Sequence, residues 1–459
     1  MSADVLYDFV IVGAGVVGPA LAKALADHGK SVLILERDLR QPDRIVGELL
    51  QPGGVQTLKK LGMAQALEGI DAAPIYGYEV IYNGDCVDIP YPRASPDEKP
   101  AQGRGFHHGR FVQNLRQIAR ETKGVTLVQG SVIDIVQTDG RVTGVETREH
   151  GVFSGRIVCV CDGTSSKFRK NFVDTQPIVE SFFVGAILQH PKLLVPNHGH
   201  VIIGSTFSPI LVYQTSQTEA RILCNVPLKK LPSVANGDLR RWLETNCLPN
   251  VPAGIKPSFA KALEEGKLRS MPNQYLPAVK YDVPGLVLLG DAMNMRHPLT
   301  GGGMTVGLGD AYLLSGDLGR LSSEELSDHT KVKPILKHFR QERKRSSVVV
   351  NVLSIALYQL FAAQSPELRI LQRGCFGYFE MGGECVTGPV SLLSGIAKQP
   401  STLFYHFFAV AFYAIKLNYV EKWRTMGALG VPVALYQTIS TLYVASMVFL
   451  PFLIKELVL

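Results

Sequence analysis

Seven cysteines in 459 residues form no Cys-x-x-Cys pair, and an odd count argues against a disulfide framework. The chain therefore suits a reducing compartment. Charge is sparse at 19% Asp, Glu, Lys and Arg, and the net +7 is spread along the chain without a dense basic run. Nothing in it reads as a nucleic-acid footprint. There is no Gly-x-Ser-x-Gly, no His-Glu-x-x-His and no credible nucleophile–base pair. His107 and His108 are adjacent, but neighbouring side chains diverge on a helix or strand. No further His or Cys cluster completes a ligand set, so no metal is expected. No internal repeat is visible. Met1 to Asp8 has no basic region or cleavage site and does not read as a signal peptide.

What is present begins with Asp8 to Gly13, an apolar run suited to a buried strand. Gly13-Ala-Gly-Val-Val-Gly18 then opens a helix to about His28. A second strand, Ser31 to Leu35, ends at Glu36. This is a βαβ unit with a Gly-x-Gly-x-x-Gly turn and a downstream acid. Gly13 makes the tight turn, Gly15 lets a pyrophosphate approach the backbone, and Gly18 lets helix and strand pack closely. The helix start faces the phosphates, and Glu36 takes ribose hydroxyls. Further on, the strand Ile157 to Cys161 ends at Asp162-Gly163. Leu286 to Leu289 is another short buried strand, ending at Gly290-Asp291. A polar loop through Pro298 and the triplet Gly301-Gly302-Gly303 then lead into a helix from Met304 to Leu318. That loop aims a helix amino-terminus, with unpaired N–H groups and partial positive charge, at something.

These pieces suggest an α/β fold. A Rossmann-like dinucleotide domain is expected over 1–75, 106–175 and 270–330. An interleaved antiparallel β-sheet substrate domain is expected over 76–105 and 176–269. A helical region follows over 331–459. Within it, 403–417 and 432–454 are apolar. The second is long enough to span a bilayer, but carries Gln437, Thr438 and Pro451. Tyr residues dot both segments and His406 lies in the first, as at a membrane interface. A monotopic helical anchor is the favoured reading, beside a true span and a soluble helical cap.

A plain NAD domain explains only the first βαβ. A flavin explains the rest: Asp291 suits the ribityl chain, and the Gly303-Met304 helix start suits the negative charge of the reduced ring. With one nucleotide-binding βαβ, reducing equivalents come from transiently docked NADPH or from a partner protein. Oxygen transfer from a flavin hydroperoxide to an alkene asks little acid–base work of the protein. It asks for a dry pocket and orientation.

These three motifs in this order resemble the flavin monooxygenases of the para-hydroxybenzoate hydroxylase fold. Asp43 to Gly54, Gly105 to Phe111, Asn294 to Val306 and Gly382 to Cys385 further resemble the squalene monooxygenase (squalene epoxidase) family, over nearly the whole chain. The resemblance implies FAD, O₂, and electrons from NADPH through an NADPH-cytochrome P450 reductase. It implies conversion of squalene to (S)-2,3-epoxysqualene in sterol synthesis, on the cytosolic face of the endoplasmic reticulum and on lipid droplets. It carries FAD-binding roles to Val16, Val17, Glu36, Arg37, Arg44, Arg110, Val132, Asp291 and Met304. Tyr78 matches a tyrosine that shapes the active site through Gln51. Leu211, Tyr213, Pro298, Leu299, Phe361, Phe376, Phe379, Pro389, Leu392 and His406 match positions lining the substrate and inhibitor pocket. The chain departs from the animal forms in lacking their long amino-terminal extension, so membrane lipid contact is expected to rest on the tail, as in the fungal type. Two other readings stay open on residues alone: a flavin-dependent prenyl reductase and a non-enzymatic prenyl-binding escort.

Overall fold

The computed structural model describes residues 5–93, 95, 97–278 and 280–458. Its first sheet runs Val125–Gln129, Val32–Glu36, Leu6–Val12, Gly151–Val160, Arg141–Thr147, Val132–Thr138 from edge to edge. Leu286–Leu288 pairs alongside Gly151–Val160. The parallel strands meet where apolar runs are covered on both faces; Phe9 to Ile11, Val32 to Ile34 and Val158 to Val160 are wholly buried. Helices Val17–Asp27, His108–Glu121 and Gly303–Leu318 share their core.

The register of this sheet creates the site. Leu35 lies beside Val12, Val12 beside Val160, and Val160 beside Leu288. Four strands thus end on one line. Glu36, Gly13, Asp162 and Asp291, far apart in sequence, follow at a common carboxyl edge. Ligands of open α/β sheets bind at such an edge.

The second sheet runs Arg269–Tyr275, Ile178–Gln189, Glu219–Val226, Ile210–Gln214, Gly199–Ile203, Gly77–Tyr82, Asp85–Pro90. Two features differ from the sequence expectation. Arg269–Tyr275, counted there with the dinucleotide domain, is an edge strand of this sheet, paired with Ile178–Gln189. And the sheet holds one parallel junction, between Gly77–Tyr82 and Gly199–Ile203, among otherwise antiparallel pairs. The hairpin of residues 77–90 comes from an earlier part of the chain, so no short turn forces its direction where it joins. Residues 103–105 form a short strand between Leu49–Leu50 and Ala73–Ile75, outside both large sheets.

One face of the second sheet packs on Asp238–Asn246 and Lys256–Glu265. The other packs on the carboxyl-terminal helices His329–Ala362, Pro366–Glu380, Glu384–Leu393, Pro400–Met426 and Gly430–Val458. The long His329–Ala362 helix is locked to Gly303–Leu318 by a buried bidentate pair. Arg343 Nε and Nη2 each donate to Asp310 at 2.9 Å.

Candidate active site

A cavity of about 1280 Å³ runs along the carboxyl edge of the first sheet and continues to the second. Its near end is the glycine turn. Gly13 adopts φ +103°, and a Cβ there would come within 2.7 Å of the Cys161 carbonyl. Gly18 packs so tightly that a Cβ would lie 2.0 Å from the Gly13 carbonyl. It shapes the turn without lining the cavity. Gly15 faces open space, with nothing within 4 Å of where a Cβ would stand. Gly13, Gly15, Val16, Val17, Glu36, Arg37, Arg44 and Val132 all line this end.

Glu36 accepts from the Ala14 N–H at 2.7 Å. Arg116 donates through Nε to the Ala14 carbonyl at 2.7 Å, and its Nη2 lies 3.7 Å from Glu36. Arg116 therefore grips both the glycine turn and the strand-end acid Glu36. Arg110, assigned a cofactor role by resemblance, does not reach the cavity. It is exposed and donates to the Ile70 carbonyl at 3.4 Å. Helical geometry explains the difference: His108, Val112 and Arg116 are spaced by four and share the cavity-facing side. Arg110 points elsewhere.

In the middle stand two carboxylates at strand ends. Asp162 Oδ2 accepts from the Lys167 N–H at 3.0 Å, whereas its Oδ1 is buried with no partner among the described residues. Asp291 lines the cavity opposite. Burial raises the pKa of both. For Asp291, Arg296, Arg44 and Arg169 pull the other way. The amino-terminus of Gly303–Leu318 opens beside them, and Gly303 has nothing within 4 Å of its missing Cβ. Arg296 braces this turn, donating to the Gly303 carbonyl at 3.3 Å and the Asn294 carbonyl at 2.9 Å. Its Nε is buried without a partner among the described residues. His108 Nδ1 donates to the Gly47 carbonyl at 2.9 Å. Burial drives its pKa down to about 4, so it is a neutral wall.

At the far end Gln51, fully buried, ties three segments together. Its Nε2 donates to the Tyr78 hydroxyl and, at 2.7 Å, to the Thr300 carbonyl of the glycine-rich loop. Its Oε1 accepts from the Tyr91 hydroxyl at 2.6 Å. Tyr78 and Tyr91 meet edge to face, with centroids 5.7 Å apart. Burial raises the Tyr78 pKa, so its phenol stays protonated. Having accepted from Gln51 and, at 3.4 Å, from the Tyr91 hydroxyl, Tyr78 keeps its own O–H for the cavity. The side wall is a buried bidentate pair, Arg221 with Glu48 at 2.8 and 2.9 Å.

A squalene epoxidase family model matches residues 154–436. Squalene epoxidase ERG1 of Saccharomyces cerevisiae is 45% identical over 99% of this chain and 97% of its own length. Squalene monooxygenase of Candida glabrata is 46% identical over 99% and 98%. The chain belongs to the squalene epoxidase family. Solved structures agree on the fold. The flavin-dependent brominase Bmp2 superposes with TM-score 0.69 at 16% identity, over 90% of this chain and 100% of its own. A p-nitrophenol 4-monooxygenase, PnpA from Pseudomonas putida, gives 0.68 at 16% identity, over 86% and 99%.

Within this squalene epoxidase fold, the residues expected around substrate divide into two groups. Tyr78, Leu211, Tyr213, Pro298 and Leu299 line the cavity. Phe361, Phe376, Phe379, Pro389, Leu392 and His406 lie outside it, among the carboxyl-terminal helices. There the phenylalanines and Leu392 belong to solid core. The helices close on one another: a Cβ at Gly374 would lie 2.2 Å from Ala414, and one at Gly388 would lie 2.0 Å from the His406 ring. His406 Nδ1 bonds the Tyr378 hydroxyl at 3.0 Å. No group of three or more His, Cys, Asp or Glu residues placed to hold a metal occurs among the described residues. Sequence reasoning missed Arg116, Arg296, Glu48 and Tyr91. Only Arg116 left a usable signal, its four-residue spacing from His108 through Val112.

Proposed function

We propose that this protein epoxidises squalene to (S)-2,3-epoxysqualene with FAD and O₂, taking electrons from NADPH through a reductase of the NADPH-cytochrome P450 type. The carrying observation is the common strand edge, which gathers Gly15, Glu36, Asp162, Asp291 and Gly303 around one cavity that ends at Tyr78. FAD fits these residues. Open space at Gly15 and Gly303 admits a pyrophosphate and a flat ring, and the unpartnered Asp162 Oδ1 and Arg296 Nε offer an acceptor and a donor.

Bound flavin, once reduced, supplies the activation of O₂. One oxygen atom enters the alkene and the other leaves as water. The chain's own residues do the rest. Glu36 and Arg116 hold the adenosine end, the Val17–Asp27 helix start faces the phosphates, and Asp291 takes ribityl hydroxyls. The Gly303 helix start stabilises negative charge on the ring. Gln51 fixes the Tyr78 hydroxyl against the loop that carries Pro298 and Leu299, and so orients the alkene relative to the ring. Leu211, Leu299 and Tyr213 keep water away, which protects a reactive oxygen donor. Work of this kind needs position more than acid–base chemistry. The enzyme works on the cytosolic face of the endoplasmic reticulum and on lipid droplets, held by its apolar tail.

The test is incubation with FAD, NADPH, a reductase and squalene, with lipid analysis and an oxygen electrode. Epoxysqualene formed one-for-one with oxygen consumed is the expected result. A hydrogenated prenyl product without oxygen uptake would establish a reductase instead. A protein that binds prenyl lipid but no flavin would establish an escort.

A further inference from the structure

The last turn of the chain carries a buried acid. Glu456 sits two residues from the end of Gly430–Val458, the most apolar of the described helices, yet it is only 4% exposed. Its Oε1 accepts from the Tyr275 hydroxyl at 3.1 Å and its Oε2 from Asn351 Nδ2 at 2.9 Å. A carboxylate at the end of a lipid-facing helix is expected in water. Here it turns inward.

From Glu456 a continuous polar path leads to the cofactor loop. Asn351 Nδ2 also donates to Asn294 Oδ1 at 2.9 Å. That same oxygen accepts from Arg296 Nη2 at 3.0 Å and Arg343 Nη2 at 3.3 Å. Asn294 Nδ2 donates to the Leu276 carbonyl at 2.7 Å, and its N–H to the Gly290 carbonyl at 3.0 Å. Arg296 reaches the Gly303 carbonyl, and Arg343 holds Asp310 on the helix that begins at Gly303. The path thus starts in the tail, crosses His329–Ala362 at Asn351, and ends at both sides of the Gly290–Gly303 loop. Charge makes it mutually dependent. Arg296 and Arg343 are buried cations, Asp291, Asp310 and Glu456 their nearby acids. Removing one member leaves buried partners unmatched.

We infer that Glu456 is a positioning residue for the flavin site: docking of the carboxyl-terminal turn through its carboxylate preorganises the Asn294–Arg296 segment and the Gly303 helix start. The membrane tail is therefore also a brace for the cofactor. This rests on the flavin reading of the cavity. It assigns the tail's last turn a role separate from lipid contact, since Glu456 lies at the opposite end of its helix from the exposed turn at Leu429.

The test uses the full chain, Glu456→Ala and Glu456→Gln, and a chain stopped after Lys455. FAD affinity is read by flavin fluorescence, the bound flavin's absorbance fine structure is recorded, and binding to neutral phospholipid vesicles is measured by flotation. Expected is a tenfold or greater weakening of FAD binding in Glu456→Ala and in the shortened chain, with blurred absorbance structure and unchanged flotation. Glu456→Gln keeps an acceptor for Tyr275 or Asn351 and should recover part of the affinity. If Glu456→Ala fails to fold, the Gln variant still decides through its FAD affinity and spectrum. A parent that binds FAD and variants that bind it equally well overturn the inference alone. A parent that binds no flavin overturns the reading of the cavity, and the inference with it.

Discussion

Arg116 and Arg110 stand six positions apart on one helix, and only the first touches the glycine turn. Replacing Arg116 with Ala removes a charged donor from the Ala14 carbonyl and leaves Glu36 without its cation. A hydrogen bond to a charged group is worth about 1.5–3 kcal/mol, so FAD binding should weaken roughly tenfold or more. Arg110→Ala should leave it unchanged, since that side chain holds only the Ile70 carbonyl from the surface. Flavin titration of the two variants compares them directly, and equal losses would remove Arg116 from the site. Tyr78 calls for a different variant. Tyr78→Phe keeps the ring against Tyr91 and deletes only the hydroxyl that Gln51 fixes. Net loss of one such bond is about 0.5–1.5 kcal/mol, so kcat should drop severalfold, up to roughly tenfold, while bound FAD stays at parent level. Full turnover would show that the hydroxyl does not orient the alkene.

The elements differ in how openly they announced themselves. The turn at Gly13, Gly15 and Gly18 with Glu36 was readable because every part of its job is local. Asp162 and Asp291 were readable as strand-end acids serving one flavin, but the geometry of their convergence was not. It depends on the parallel register of Val12, Val160 and Leu288, which no local spacing encodes. Arg269–Tyr275 was missed because Arg-Ser-Met-Pro-Asn-Gln-Tyr lacks alternation and contains a proline. It becomes a strand only by pairing with Ile178–Gln189. Arg116 left one signal, its four-residue spacing from His108 through Val112, which gains meaning only where that helix face meets the cavity. The Glu48–Arg221 pair was equally hidden, because the partners are joined only when the loop after Pro42 lies across the second sheet. That pair is 1% and 5% exposed, so Arg221→Met strands a buried carboxylate at about 3–5 kcal/mol. Adding Glu48→Leu should return much of that stability, since a buried pair replaced by apolar groups is often neutral. Thermal unfolding of the two variants and the parent tests it, and simple additivity of the two losses would contradict it.

At the scale of the whole molecule, three buried neutral histidines set the acid limit. Burial lowers His108 and His200 to about 4 and His297 to about 3. The unfolded chain takes up protons at these positions near pH 6.5 and the folded chain does not. Their contribution is therefore complete above pH 6.5 and is lost as pH falls from there toward 4, at up to about 1.4 kcal/mol per unit for each. Asp162 and Asp291, raised by burial from an ordinary carboxylate value near 3.8, act in the opposite sense. Between pH 7 and 5.5 the histidines win, and the melting temperature should fall. A flat profile would show them accessible to protons in the fold.

The tail poses the last question at this scale. Pro400–Met426 runs along Pro366–Glu380 as far as the Arg373–Glu421 ion pair, turns at Gly427–Leu429, and Gly430–Val458 returns along the body, where Glu456 and the Leu457 carbonyl bond Tyr275, Asn351 and Lys344. The two helices are pinned midway by Asn418 to Gln437 at 2.9 Å. Both ends of this hairpin therefore belong to the same side of any bilayer. Its tip carries Lys422 and Arg424 beside an exposed Trp423, with Glu421 there paired to Arg373 of the body. Such charges are costly in hydrocarbon and at home among headgroups with tryptophan. The stripe Leu435, Ile439, Tyr443 and Met447, each half exposed or more and four residues apart, gives one apolar face along the axis. A hairpin lying in the interface satisfies the charges and the stripe together, whereas one standing across the membrane satisfies only the stripe. The other long apolar helix, His329–Ala362, is mostly covered by protein and offers no competing anchor. Changing Leu435, Ile439 and Tyr443 together to Ser removes about 1.5 kcal/mol or more for each side chain that lipid buries, and should lower vesicle binding by at least tenfold. Glu456 and its partners are untouched by these changes, so FAD affinity should hold. A carboxyl-terminal tag on microsomes should be reached by protease without detergent. A tag protected until the membrane is opened would place the end of the chain in the lumen, and the hairpin geometry would be wrong.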